Sequence, residues 1–106
     1  MRKSILVAVL ALAVTAVIAQ NREHMVGQKN RSFTASQLKV KVGDSVSFRN
    51  DDPFFHNIFS LSDTQPFDLG SYPQGQSRKA TFTREGRVEI ECAIHPEMKM
   101  VVHVEK

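Results

Sequence analysis

Leu38-Lys39-Val40-Lys41-Val42-Gly43-Asp44-Ser45-Val46-Ser47-Phe48 places an apolar side chain at every second position on either side of a Gly-Asp pair. Side chains of an extended chain alternate between faces, so Leu38, Val40 and Val42 form the inner face of one strand while Lys39 and Lys41 stay in solvent. Val46 and Phe48 repeat the pattern in a second strand. Gly43-Asp44 reads as a tight connection between the two, and Asn50-Asp51-Asp52-Pro53 ends the second.

The same period of two continues outward. His56 and Ile58 share one side of a short extended stretch, which points His56 inward. The segment from Leu61 to Gln76, with Pro66, Gly70, Pro73 and Gly75, reads as a crossing connection. Ala80 and Phe82 restart alternation, and Glu85-Gly86 turns the chain into Val88, Ile90 and Cys92, which fall on one face. Met100, Val102 and Val104 supply a closing strand, with His103 out of phase and facing solvent. About seven short strands and no helix-period segment predict an all-β fold, a Greek-key antiparallel β-sandwich.

Cys92-Ala93-Ile94-His95-Pro96-Glu97-Met98-Lys99-Met100 concentrates the chemistry. A thiol, an imidazole and two thioethers are ligands for a soft metal. Cys92 is the only cysteine, which excludes an intramolecular disulfide and the three- and four-cysteine zinc frameworks within one chain. An isolated cysteine is more often an inert buried side chain, but these neighbours argue for a ligand. His56, set among apolar residues, offers the second imidazole. Two His, one Cys and a weak Met describe a blue copper site.

Met1-Arg2-Lys3 followed by the apolar run Ile5 to Ala19 has the form of a cleavable secretory signal peptide, and its core is short for a membrane span. Cleavage after Ala19 is expected, giving residues 1–19 as signal and 20–106 as one small domain. Export would be to the periplasm, with no membrane insertion after cleavage. A domain of that size buries only about 60 to 65% of its unfolded surface, so a bound metal would help it. The formal net charge of +3 rests on 14 basic and 11 acidic residues. Without Arg2 and Lys3 the counts become 12 and 11, a charge of +1. Basic and acidic residues are interspersed, which argues against a nucleic-acid partner. No paired acids or nucleophile–base arrangement is legible, so an enzyme is not predicted. His24 reads as a frayed surface histidine near the new amino terminus.

With these residues in view, the stretch from about Met25 to Lys106 resembles the cupredoxins, the type 1 blue copper proteins of plastocyanin, amicyanin and pseudoazurin type. The strand pair Leu38 to Phe48, His56-Asn57 and Cys92-x-x-His95-Pro96-x-Met98 carry the resemblance together. It implies one copper ion held by His56, Cys92 and His95. Two spacings are known for the axial methionine. Amicyanin-like spacing selects Met98, and the longer spacing selects Met100, which remains the alternative. Asn57 resembles the residue that hydrogen-bonds across to the cysteine-bearing loop, although an ordinary turn asparagine fits as well.

The function implied is electron transport, one electron at a time, between redox protein partners such as a dehydrogenase, a cytochrome or an oxidase. They would dock transiently near His95, where Pro53, Phe54 and Ile94 offer an apolar patch. A monomer is expected. The alternative is a periplasmic copper carrier or sequestration protein without physiological electron transfer. A third possibility is a structural sandwich whose site has decayed or holds zinc.

Overall fold

The computed structural model of the protein describes residues 20–106, so the signal-peptide expectation for 1–19 lies outside the described residues. Nine strands follow in order: β1 (Glu23–Lys29), β2 (Ser32–Phe33), β3 (Gln37–Lys41), β4 (Ser45–Asn50), β5 (His56–Ser60), β6 (Phe67–Tyr72), β7 (Ser77–Thr81), β8 (Gly86–Glu91) and β9 (Lys99–Glu105). They form two facing sheets, β2-β1-β4-β7 and β3-β9-β8-β5-β6. Among the described residues no helix is long and apolar enough to cross a membrane.

The alternating apolar residues line the space between the sheets. Val26, Val46, Phe48, Ala80 and Phe82 meet Val40, Ile58, Tyr72, Val88, Ile90, Met100, Val102 and Val104 in one core. Phe33 packs edge-on against Phe48 and Phe67 against Phe82, with ring centroids 6.4 and 6.1 Å apart. Each fully buried large aliphatic or aromatic side chain contributes about 1.5–3 kcal/mol. That is what lets so short a chain hold its loops in place.

The sandwich is mixed where antiparallel sheets were expected, because β1 runs parallel to β4 and β3 parallel to β9. The strands on either side of Gly43-Asp44 are also not paired with each other. β3 lies in one sheet against β9 and β4 in the other between β1 and β7. Alternation in sequence tells which face of a strand is buried, not which strand is its neighbour. Gly43, at φ 95°, lets the chain cross between sheets at a corner tied by Asp44. Its carboxylate accepts hydrogen bonds from Arg22 N, Lys41 N and His24 Nε2, each at 2.9 Å. His24 is therefore a held residue of β1 rather than a frayed one.

The segment Leu61–Gln76 is not a crossing connection, since β6 lies within it and pairs antiparallel with β5. Gly70 at φ 75° and a register shift between Asn57 and Phe59 interrupt the pattern that would have revealed the strand. β6 is a sheet edge, where such irregularity is tolerated.

The bonds to Asp44 also set how stability depends on pH. Backbone donation from Arg22, then the bond to His24 and donation from Lys41, hold this carboxyl at about 2 instead of the ordinary 3.8. A lowered carboxyl stabilises the fold above its unfolded value, and that contribution is lost as pH falls through the folded one. Asp44→Asn should therefore destabilise the copper-free protein by about 1–3 kcal/mol at neutral pH. Thermal melts between pH 4 and 2 should show a shallower loss of stability in the variant than in the wild type.

Candidate metal centre

His56 opens β5 directly after the bend Asp51-Asp52-Pro53-Phe54-Phe55, and Asn50 shapes that bend. The Asn50 side-chain oxygen accepts from Asp52 N at 2.9 Å, while its amide donates to Phe54 O at 2.8 Å and Tyr72 O at 3.0 Å. The alternation of β5 then turns His56, Ile58 and Ser60 inward. His56 is fully buried. Its Nε2 meets the Asp52 carboxylate at 2.7 Å, and its Nδ1 faces the Cys92 sulfur at 3.7 Å. A carboxylate can only accept, so Nε2 carries the proton and Nδ1 presents its lone pair.

Cys92 follows the last residue of β8, continuing the inward face of Val88 and Ile90, and is buried. The chain then turns through Ala93–Glu97, closed by donation from Met98 N to His95 O at 2.9 Å. That turn brings His95 Nδ1 to 4.0 Å from the Cys92 sulfur. One donor atom from each of His56, Cys92 and His95 lies within 4.8 Å of the other two. An ion bonded to a sulfur and a nitrogen at about 2.0–2.3 Å holds them roughly 3.7 Å apart. The spacing therefore fits one ion, and the soft thiolate with two imidazoles fits copper. His95 is half-buried, while the other two donors are enclosed.

Several groups support the donors. Asn57 falls opposite Ala93 in the register that pairs Phe59 with Glu91, and its side-chain oxygen accepts from Ala93 N at 2.7 Å. Phe54 stands against both imidazoles, with centroids 5.2 Å from His56 and 5.0 Å from His95. Met98 and Met100 are both buried, but only Met100 belongs to the apolar core, where it pairs across the sheet with Ile90. His103 stands apart, bonded to Gln37 at an exposed position.

Asp52 is the residue that sequence reasoning missed. Burial alone would raise its carboxyl. The His56 hydrogen bond and donation from Arg31 N and Asn30 N outweigh this and hold it below the ordinary carboxylate value. An acid four residues before a buried histidine, just ahead of a proline, is the signal that was available.

A family of copper binding proteins, the plastocyanin/azurin family, matches residues 20–105. The chain is 36% identical over 64 residues to the methylamine utilization protein MauL of Methylorubrum extorquens, covering 59% of this chain and 56% of that protein. It thus spans little more than half the length of that relative. Among solved structures, an amicyanin variant with Cu(I) superposes with a TM-score of 0.74 at 26% identity, covering 78% of this chain and 82% of the amicyanin. A copper-containing nitrite reductase from Thermus scotoductus gives 0.73 at 27% identity over 79% of this chain, but over only 22% of the larger protein. The match across the whole β-sandwich and the cysteine–histidine donor set agree: the chain belongs to the plastocyanin/azurin family of copper binding proteins, the cupredoxins, and its cofactor is one type 1 copper ion.

Proposed function

We propose that the protein is a periplasmic one-electron carrier, exported with residues 1–19 as its signal peptide and working as residues 20–106. The observation that carries this reading is the convergence of Cys92 with His56 and His95 on two loops hung from a packed sandwich. A bound copper ion would supply the one-electron couple. Cys92 would hold it as a thiolate, and His56 and His95 would each offer an Nδ1 lone pair. Met98 would offer the additional weak thioether donor, a reading supported by its burial outside the apolar core, which already employs Met100. Asn57 fixes the spacing of the loops that carry His56 and Cys92.

Fixed donors suit electron transfer because a site that rearranges little between oxidation states loses little energy to reorganisation. His95 is the ligand nearest solvent, and its edge is the electron's way in and out. The exposed side chains of Phe55 and Ile94 lie on the segments that carry the two histidines. With Phe54 they offer a small apolar docking face for a dehydrogenase, a cytochrome or an oxidase. The carrier works as a monomer, and no substrate chemistry is assigned to it.

A visible and electron-paramagnetic-resonance spectrum of residues 20–106 with one equivalent of Cu(II) tests the reading. An intense thiolate charge-transfer band with narrow copper hyperfine splitting is expected. A colourless protein that binds Cu(I) tightly but does not hold Cu(II) would instead identify a copper delivery or sequestration protein. In Cys92→Ser the band should vanish while the strand-rich circular dichroism spectrum persists; a surviving band would refute the ligand assignment. Met98→Leu should shift both the spectrum and the reduction potential. Met100→Leu should leave them in place, at a stability cost below about 1.5 kcal/mol in the core. The reverse pattern would make Met100 the axial ligand.

A further inference from the structure

The Asp52 carboxylate is buried, at 3% exposure, and is more fully partnered than an incidental surface acid. One oxygen accepts from Asn30 N at 2.7 Å. The other accepts from Arg31 N at 3.1 Å and from His56 Nε2 at 2.7 Å. Asn30 and Arg31 are the two central residues of the β1–β2 hairpin, both left-handed at φ 55° and 56°. That is the form of a type I′ turn, which points both N–H groups at the carboxylate. The Arg31 guanidinium does not reach Asp52 within ion-pair distance and instead lies over the Phe54 ring, 5.6 Å from its centroid. The negative charge is thus held by backbone dipoles and one imidazole N–H, and among the described residues no lysine or arginine pairs with it. Among the described residues no carboxylate pairs in this way with His95.

We propose that Asp52 is a positioning residue that locks His56 with its proton on Nε2, and that its uncompensated charge biases the copper site towards the oxidised state. The hydrogen bond makes the His56 Nδ1 lone pair more basic, as a second-layer carboxylate does for a metal-bound histidine. A fixed negative charge in a poorly screened interior stabilises the doubly charged ion more than the singly charged one. The β1–β2 turn is what keeps the charge in place, so a hairpin remote in sequence from every ligand sets the electron affinity of the site. This inference rests on the copper reading above.

The experiment compares wild type with Asp52→Asn and Asp52→Glu, each loaded with copper. Asn keeps an acceptor for His56 but removes the charge, whereas Glu keeps the charge. The Asn variant should retain the thiolate band and lose about tenfold in its preference for Cu(II) over Cu(I), a rise in potential of about 59 mV for one electron. The Glu variant should return towards the wild-type potential. An Asn variant with the blue band and an unmoved potential overturns the proposal while leaving the copper reading intact. A wild type without the band overturns the electron-carrier reading on which the proposal rests. Nitrogen-resolved NMR of the copper-free wild type gives an independent reading should the Asn variant fail to fold. A slowly exchanging proton on His56 Nε2 supports the proposal, and a proton on Nδ1 overturns it.

Discussion

The hydrogen bond from Ala93 N to the Asn57 side chain joins the two segments that carry the candidate donors His56, Cys92 and His95. β5 and β8 share one registered backbone pair, Phe59 with Glu91, before they diverge. Beyond it an amide side chain takes over the place of the ladder, and the gap so opened is where His56 and Cys92 face each other. The two donors are 36 residues apart in sequence. Their spacing therefore depends on the sandwich bringing the strands together and on Asn57 stopping the loops from drifting once pairing ends. A side-chain bridge suits this place because a continued ladder would close the opening the ion needs.

The metal end of the sandwich adds a network of buried polar groups to the apolar packing of the core. Asn50, Asp52, His56 and Gln28 are all buried there, and an unpaired buried polar group is costly. Asn50 satisfies three backbone groups, and Asp52 three donors. Tyr72, whose phenol burial pushes up in pKa, lies within hydrogen-bond distance of both the Gln28 side-chain oxygen and Phe48 O. One hydroxyl proton serves one acceptor, and the Gln28 amide nitrogen is without a partner. Turning the Gln28 amide over would let its nitrogen donate to Tyr72 while Tyr72 donates to Phe48 O, exchanging an orphaned donor for an unpaired carbonyl oxygen. Gln28 thereby ties β1 to the same end of the fold as the Asn30-Arg31 turn.

Much of this was legible in the sequence. The alternation of Leu38 to Phe48 and of Val88 to Cys92 shows which residues face inward, and the spacing within Cys92–Met98 makes the donors conspicuous by residue type. Strand partners were not legible. β3 and β4 look like a hairpin because nothing local distinguishes a turn within a sheet from a corner between sheets. β1 and β6 were overlooked because Gly27, Gln28 and Gly70 break the apolar period at positions whose role comes from the assembled fold. Asp52 was hidden for the same reason: an acid in a turn is usually solvated, and only the fold of β1 onto β4 brings Asn30 and Arg31 to cover it.

The two imidazoles, equivalent as residue types, occupy unlike places. His56 is enclosed, bonded to a carboxylate and anchored through it to a hairpin and through Asn50 to β4. His95 sits in a short turn, half-exposed, with the Phe54 ring tilted against it. An electron carrier of the kind proposed would need both properties, and one ligand cannot supply them together. The ligand that fixes geometry must resist water, while the ligand that passes electrons must approach a partner. The sandwich separates the tasks by chain position. The mid-chain strand end gives a ligand buried against a polar network, and the loop between the last two strands gives one at the surface. Phe54 links them, with the Arg31 cation over its ring, His56 in T-shaped contact and His95 tilted against it, so a partner docking on this face would press on a side chain that contacts each imidazole.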